Sequence, residues 1–216
     1  MKPLFPALAG GILAIAALPA VTAEMSAVLG GGHSQITRME ALESGRPTVG
    51  LSTDSHKRVL DLCVDTVSDP RIFSQGAATR DAILSHCEGE LARAEQYAPA
   101  DGFIWWVRAA LAAERNDVEA IFTALQRSRE TAPYELWIAL RRERIAQRLE
   151  ALQSPADRAG HDADLLVLAR SRRGVQRLAT RYLNDTDFRE RITALVETLP
   201  VENQRRFLAN VRSAAQ

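Results

Sequence analysis

Charge of neither sign prevails in this 216-residue chain: 27 Lys+Arg stand against 27 Asp+Glu. A general nucleic-acid binder carries a basic excess, so the balance argues against that class. Glycine (12) and proline (9) are too sparse for a fibrous or low-complexity protein. Aromatics make up only 6%, yet 46% of residues are hydrophobic. That is too much apolar material for overall disorder and enough for the core of one domain or two small ones. Catalytic signatures are missing: there is no GxSxG, no HExxH, no Gly-Lys-Ser/Thr phosphate loop and no GxGxxG before a helix. The chain is therefore read as non-enzymatic. His33, His56, His86 and His161 are scattered, with no pair at helical metal spacing, so neither metal nor cofactor is expected. Gly30-Gly31-Gly32-His33 follows no strand and makes a poor phosphate cradle. Period-two alternation is absent too, which excludes a β architecture.

What is present begins with an export signal. After Lys2 no charged residue occurs until Glu24, Leu8 to Leu18 is an apolar run, Pro19 breaks it, and Val21-Thr22-Ala23 ends in small residues. This is the layout of a secretory signal peptide, with cleavage expected after Ala23. The alternative is a retained anchor, because Leu4 to Ala23 is long enough to span a bilayer. No later run approaches that length, so no integral membrane segment is expected after cleavage. The remaining chain uses arginine almost to the exclusion of lysine (Lys57), a bias that points to a GC-rich bacterial genome. The expected location is the periplasm or the exterior. In such a compartment the cysteine pair, Cys63 and Cys87, predicts a disulfide clamping two adjacent helices. The alternative is a metal site with Cys63, His86 and Cys87, but neighbours on a helix point about 100° apart. There is no CxxC to support a redox role.

Residues 24–54 read as a flexible leader or linker with one short helical turn, being poor in large apolar residues and containing Gly45, Pro47 and Gly50. From residue 55 to 216 the pattern is helical, with segments at 55–68, 77–97, 102–114, 117–130, 134–152, 161–182, 186–198 and 201–213. Pro70, Pro99, Pro133, Pro155 and Pro200 punctuate them, and Asp101, Asp117 and Asp185 stand at N-cap positions. The segment 102–114 is apolar nearly all round, from Phe103 to Leu111, and is expected to be buried, with Arg108 as its odd member.

Leu91-Ala92-Arg93 through Pro99 returns as Leu125-Gln126-Arg127 through Pro133, a spacing of 34, and each Ala-Pro is followed by tryptophan. With Asn116-Asp117 at a turn, Ala120 and the closing Pro133, the stretch Asp101 to Pro133 resembles a degenerate tetratricopeptide repeat. The turn glycine is absent, and Ala124 stands near the usual aromatic. The resemblance covers two repeats at most. It implies an all-α fold of antiparallel helix hairpins stacked as a short right-handed solenoid. The phrase from Ala132 to Arg142 also resembles exported accessory proteins of bacterial exopolysaccharide loci. That resemblance implies surface polysaccharide assembly or export as the setting.

Two arginine stripes are the candidate binding faces. Trp137, Arg141, Arg144 and Arg148 share one face of the segment 134–152, with Ile138, Ile145, Leu149 and Leu152 as its apolar side. Arg170, Arg173, Arg177 and Arg181 repeat the spacing on 161–182. Residues 24–135 carry 11 basic and 17 acidic side chains, residues 136–216 carry 15 and 10. Such a basic face suits an acidic protein surface, anionic lipid headgroups or an acidic glycan. The leading expectation is an adaptor for an envelope protein partner; the alternative is an acidic-polysaccharide binder using the Arg/Trp face. The bland reading is a set of solvated, salt-bridged helix faces. A glycan-cleaving enzyme is the least supported reading, since it would need an acid in a cleft with a raised pKa.

Overall fold

Short connections between amphipathic segments bring each helix against its neighbours and next-but-one neighbours along the chain, as the computed structural model shows. It describes the backbone from Leu4 to Gln216 and the side chains of Ile15 and of residues 17–216. Lys2 lies outside the described residues, as do the side chains of the apolar run up to Ala14 and that of Ala16. The described chain is helical with no strand. It divides into two units, residues 1–100 with 110–116 and residues 101–109 with 117–216.

The first unit holds α1 (Leu4–Leu29), α2 (Gln35–Glu43), α3 (Thr53–Val67), a 3-10 turn (Pro70–Gln75) and α4 (Ala77–Tyr97). α3 packs on α4, and Val59, Leu60, Cys63 and Val67 of the one and Ile83, Leu84, Cys87 and Leu91 of the other are buried. Cys63 and Cys87 form a disulfide across these two helices, with Cα atoms 5.7 Å apart. His86, the third member of the alternative metal set, donates from Nε2 to the Pro47 carbonyl at 3.0 Å.

The leader reading needs correction. Residues 35–43 form α2, opened by a capping box between Ser34 and Thr37, and α2 buries Met39 and Leu42 while packing on α4. The following stretch, 47–52, is irregular but pinned by side chains. The Thr48 amide donates to Ser26 Oγ, the Val49 amide to Glu90 Oε2 at 2.7 Å and the Gly50 amide to Ser55 Oγ. His56 Nε2 donates to the Gly50 carbonyl. Glu24 then accepts from the amides of Leu51 and Ser52 and from the Ser52 hydroxyl. Those bonds, the Ser52 hydroxyl foremost, hold its carboxyl below the usual range. The spacing of large apolar residues missed this segment because polar side chains, not a local apolar stripe, fix it.

The second unit takes the first part of α5 (Gly102–Glu114), then α6 (Val118–Thr131), α7 (Leu136–Arg148), a 3-10 turn (Glu150–Leu152), α8 (Pro155–Arg170), α9 (Arg172–Asn184), α10 (Thr186–Glu197) and α11 (Val201–Ala214). Asp101, Asp117 and Asp185 accept from backbone amides at helix starts, as their positions predict. Asn116 takes the left-handed conformation (φ 57) that a turn glycine would otherwise supply. Gly102 lets α5 and α6 touch: a Cβ there would lie 2.3 Å from that of Ala132. Within this unit α8 packs on α6, α7, α9 and α10, and α11 lies mainly on α9. Leu165, Leu168, Val175, Leu178, Phe188, Ile192 and Phe207 form the core.

The expected helix 161–182 is two helices. Ser171 is extended (φ −96, ψ 149), closing α8 with its amide and opening α9 with its side chain, which accepts from Gly174 N at 2.7 Å. A Cβ on Gly174 would approach the Leu168 carbonyl oxygen to 2.5 Å, so the tight turn depends on that glycine. Periodicity alone bridges such a one-residue break. Helix 134–152 likewise ends at Arg148, and Leu152, assigned to its apolar stripe, is 57% exposed.

Candidate functional site

α7 presents two faces of different character. Trp137, Arg141, Arg144 and Arg148 share one of them, as their spacing requires. Trp137 is 38% exposed and its indole donates to Glu135 at 3.0 Å. The Arg141 guanidinium lies among three rings, 5.5 Å from the centroid of Phe103, 4.5 Å from Trp106 and 5.4 Å from Trp137. Such a cation over aromatic faces is fixed in direction by the ring quadrupoles. Arg144 and Arg148 continue the stripe as exposed residues.

The opposite side of α7 is a buried charge network that the stripe analysis missed. Arg142 has no solvent exposure and grips Asp164 of α8, Nε to Oδ1 at 2.9 Å and Nη2 to Oδ1 at 2.5 Å. Its Nη1 donates to the carbonyls of Ser128 and Ala132, the C-terminal groups of α6. Arg129 supplies a second cation to Asp164 at 3.2 Å. A signal existed: Arg142 falls on the Ile138–Ile145 stripe, and Asp164 beside Leu165 and Leu168, so a charge sat where the period calls for an apolar residue.

The second arginine stripe is not one face. Arg170 ends α8, while Arg173, Arg177 and Arg181 lie on α9 beyond the Ser171 break. Arg170 and Arg173 are exposed. Arg177 binds the buried Glu143 from Nε at 3.1 Å. Arg181 is nearly buried, pairs with Glu150 at 2.7 Å and Asp185 at 3.0 Å, and lies 3.9 Å over the Phe188 ring. Arg181 and Arg177 thus act first within the fold.

No protein-family profile, curated protein or solved structure matches this chain. The site is therefore read from its geometry. Between α7 and α9 runs a groove of about 400 Å³ lined by Glu143, Gln147, Arg177, Thr180, Arg181 and Asn184. Burial raises the Glu143 pKa against the opposing pull of Arg177 and Arg181. A carboxyl in a cleft with a raised pKa is what the glycan-cleaving reading demanded, but this one is held by an arginine hydrogen bond. A second groove, of about 310 Å³, is lined by Trp105, Arg108, Asp117, Glu119 and Thr123 and contains the odd arginine of α5.

His161 is buried on α8, where burial and then the nearby Arg191 and Arg181 push its pKa down to about 3. It accepts at Nδ1 from Gln153 and stays neutral in the folded chain. The unfolded chain takes up this proton near pH 6.5, so stability falls as pH drops from 6.5 toward about 3. Between pH 7 and 5 the imidazole alone is expected to remove about 2 kcal/mol. Urea titrations of the wild type and His161→Gln at both pH values test this. The variant should lose that much of the pH dependence; parallel behaviour would place its source elsewhere.

Proposed function

We propose that the protein is a non-enzymatic helical-repeat adaptor of the bacterial cell envelope, exported by residues 1–23 and docking an acidic protein partner on the exposed face of α7. The observation that carries this reading is the division of labour among arginines. Arg142 and Arg181 lie inside the fold on carboxylates and Arg177 commits its Nε to the buried Glu143, whereas Arg144 and Arg148 stand exposed on the face that carries the part-exposed Trp137. Tryptophan and arginine are the residues that most often anchor protein interfaces.

Recurrent cross-helix ties support the repeat reading. Gln35 to Asp69, Arg80 to Glu114 and Arg177 to Glu143 each span 34 residues, and Arg129 to Asp164 spans 35. Stacked 34-residue helix pairs would generate that separation. The export reading draws support from the α1 side chains. Exposed apolar residues occur on both sides of Ala23 (Ile15, Leu18 and Val21 before it, Met25, Val28 and Leu29 after it), but among the described residues the side-chain hydrogen bonds from α1 to the rest of the first unit begin only after it, at Glu24 and Ser26. Among the described residues no helix is long and apolar enough to cross a membrane. The polysaccharide setting rests on the resemblance of the Ala132–Arg142 phrase alone.

Crosslinking in intact cells, followed by affinity capture, tests the adaptor. A stoichiometric acidic partner is expected with the wild type. The triple variant Trp137→Ala, Arg144→Ala, Arg148→Ala should hold it at least roughly tenfold more weakly, with an unchanged helical spectrum. Equal capture by both proteins would remove this face from the function. Recovery of an acidic polysaccharide without protein would transfer the face to the glycan-binding alternative.

A further inference from the structure

We propose that the groove between α7 and α9 is a binding site for one carboxylate-bearing sugar unit, a uronic acid. This inference does not depend on the adaptor reading, which uses a different face of α7.

The polar groups lining the groove retain hydrogen-bonding capacity. Arg177 is 40% exposed, and its guanidinium is engaged through Nε by Glu143, with no other hydrogen bond among the described residues. A guanidinium with open N–H groups suits a carboxylate. Gln147 makes no side-chain hydrogen bond among the described residues, and Asn184 donates from Nδ2 to the Thr180 carbonyl while its Oδ1 is unengaged. Amides with open donors and acceptors match hydroxyls, which both donate and accept. Glu143, buried and bound by one arginine hydrogen bond, offers a carboxylate to a further hydroxyl.

Charge selects an acidic sugar over a neutral one. The lining holds Arg177 and Arg181 against Glu143, and exposed Arg173 lies one turn before Arg177 on α9. A volume of about 400 Å³ lies in the range of small-ligand sites.

The test is an NMR titration of the full-length protein with D-glucuronate, with D-glucose and acetate as controls. A polyglucuronate oligosaccharide forms a further arm that separates a free sugar from a chain unit as the natural source. Saturable shifts of the Gln147 and Asn184 side-chain amides are expected with glucuronate. Affinity for glucose and for acetate should be roughly tenfold weaker or less. Arg177→Ala should cost roughly tenfold in affinity, and Gln147→Ala, which removes no internal hydrogen bond, should cost several-fold while leaving the fold intact. Tighter binding of the oligosaccharide would identify a chain unit, and equal binding a free sugar; both support the site. Absent shifts, equal binding of acetate and glucuronate, or full affinity in Gln147→Ala and Arg177→Ala would overturn it. The Trp137/Arg144/Arg148 variant should keep its groove shifts, so failure of the adaptor and failure of this site are separable.

Discussion

Arg142→Ala is expected to cost about 3–5 kcal/mol of folding stability, read as a lower urea midpoint at unchanged slope. The loss has two physical parts. Asp164, 1% exposed, loses its bidentate partner and keeps only Arg129. The carbonyls of Ser128 and Ala132 lose the donor that closes the end of α6. Arg142→Lys should recover only a fraction, because an ammonium cannot reproduce the planar fork that meets Asp164 and two carbonyls together. The double variant Arg142→Met, Asp164→Leu should regain only part of the difference, since it removes the charges of the pair but leaves Arg129, 13% exposed, without its carboxylate. A double variant as unstable as Arg142→Ala would show that the carbonyl contacts and the stranded Arg129 outweigh the relief from removing the pair. A single variant within about 1 kcal/mol of the wild type would contradict the burial of this network.

The second large effect belongs to the disulfide. Cys63 and Cys87 are 24 positions apart, so the bond closes a loop of about 25 residues in the unfolded chain. On the chain-entropy account its removal by Cys63→Ala and Cys87→Ala costs about 3.5 kcal/mol. At 2–4 °C per kcal/mol for a chain of this size, that is a fall of about 10 °C in melting temperature. Thermal melting by circular dichroism, with and without reductant, measures it. Superimposable curves would show that the bond adds nothing to the stability of the α3–α4 pair.

Helix type, the cysteine pair and the N-caps were legible because each rests on local chemistry. Asp117 caps α6 and Asp185 caps α10 for reasons contained in three or four residues. Break points were harder. Ser171 interrupts a stripe whose apolar members, Leu168, Val175 and Leu178, keep helical spacing on both sides of it, so period alone joins α8 to α9. The arginines divided by environment. Spacing placed Trp137, Arg141, Arg144 and Arg148 together on α7, but whether a given guanidinium meets rings, buried carboxylates or water depends on helices distant in sequence. Arg141 finds Phe103 and Trp106, and Arg177 finds Glu143. Nothing in the local pattern of residues 47–52 announced an ordered segment, since its partners Glu24, Ser26, Ser55, His56, His86 and Glu90 come from three other helices.

That last segment has an evolutionary consequence. Surface connections usually accept insertions and deletions because their backbone groups bond to water wherever they happen to fall. Here the carbonyls of Pro47 and Gly50 and the amides from Thr48 to Ser52 each have an assigned side chain. Adding or removing one residue would shift every group out of register with its partner at once. The connection between α2 and α3, though it has no regular structure, is therefore as constrained in length as a core helix, and drift should enter this chain through its other turns.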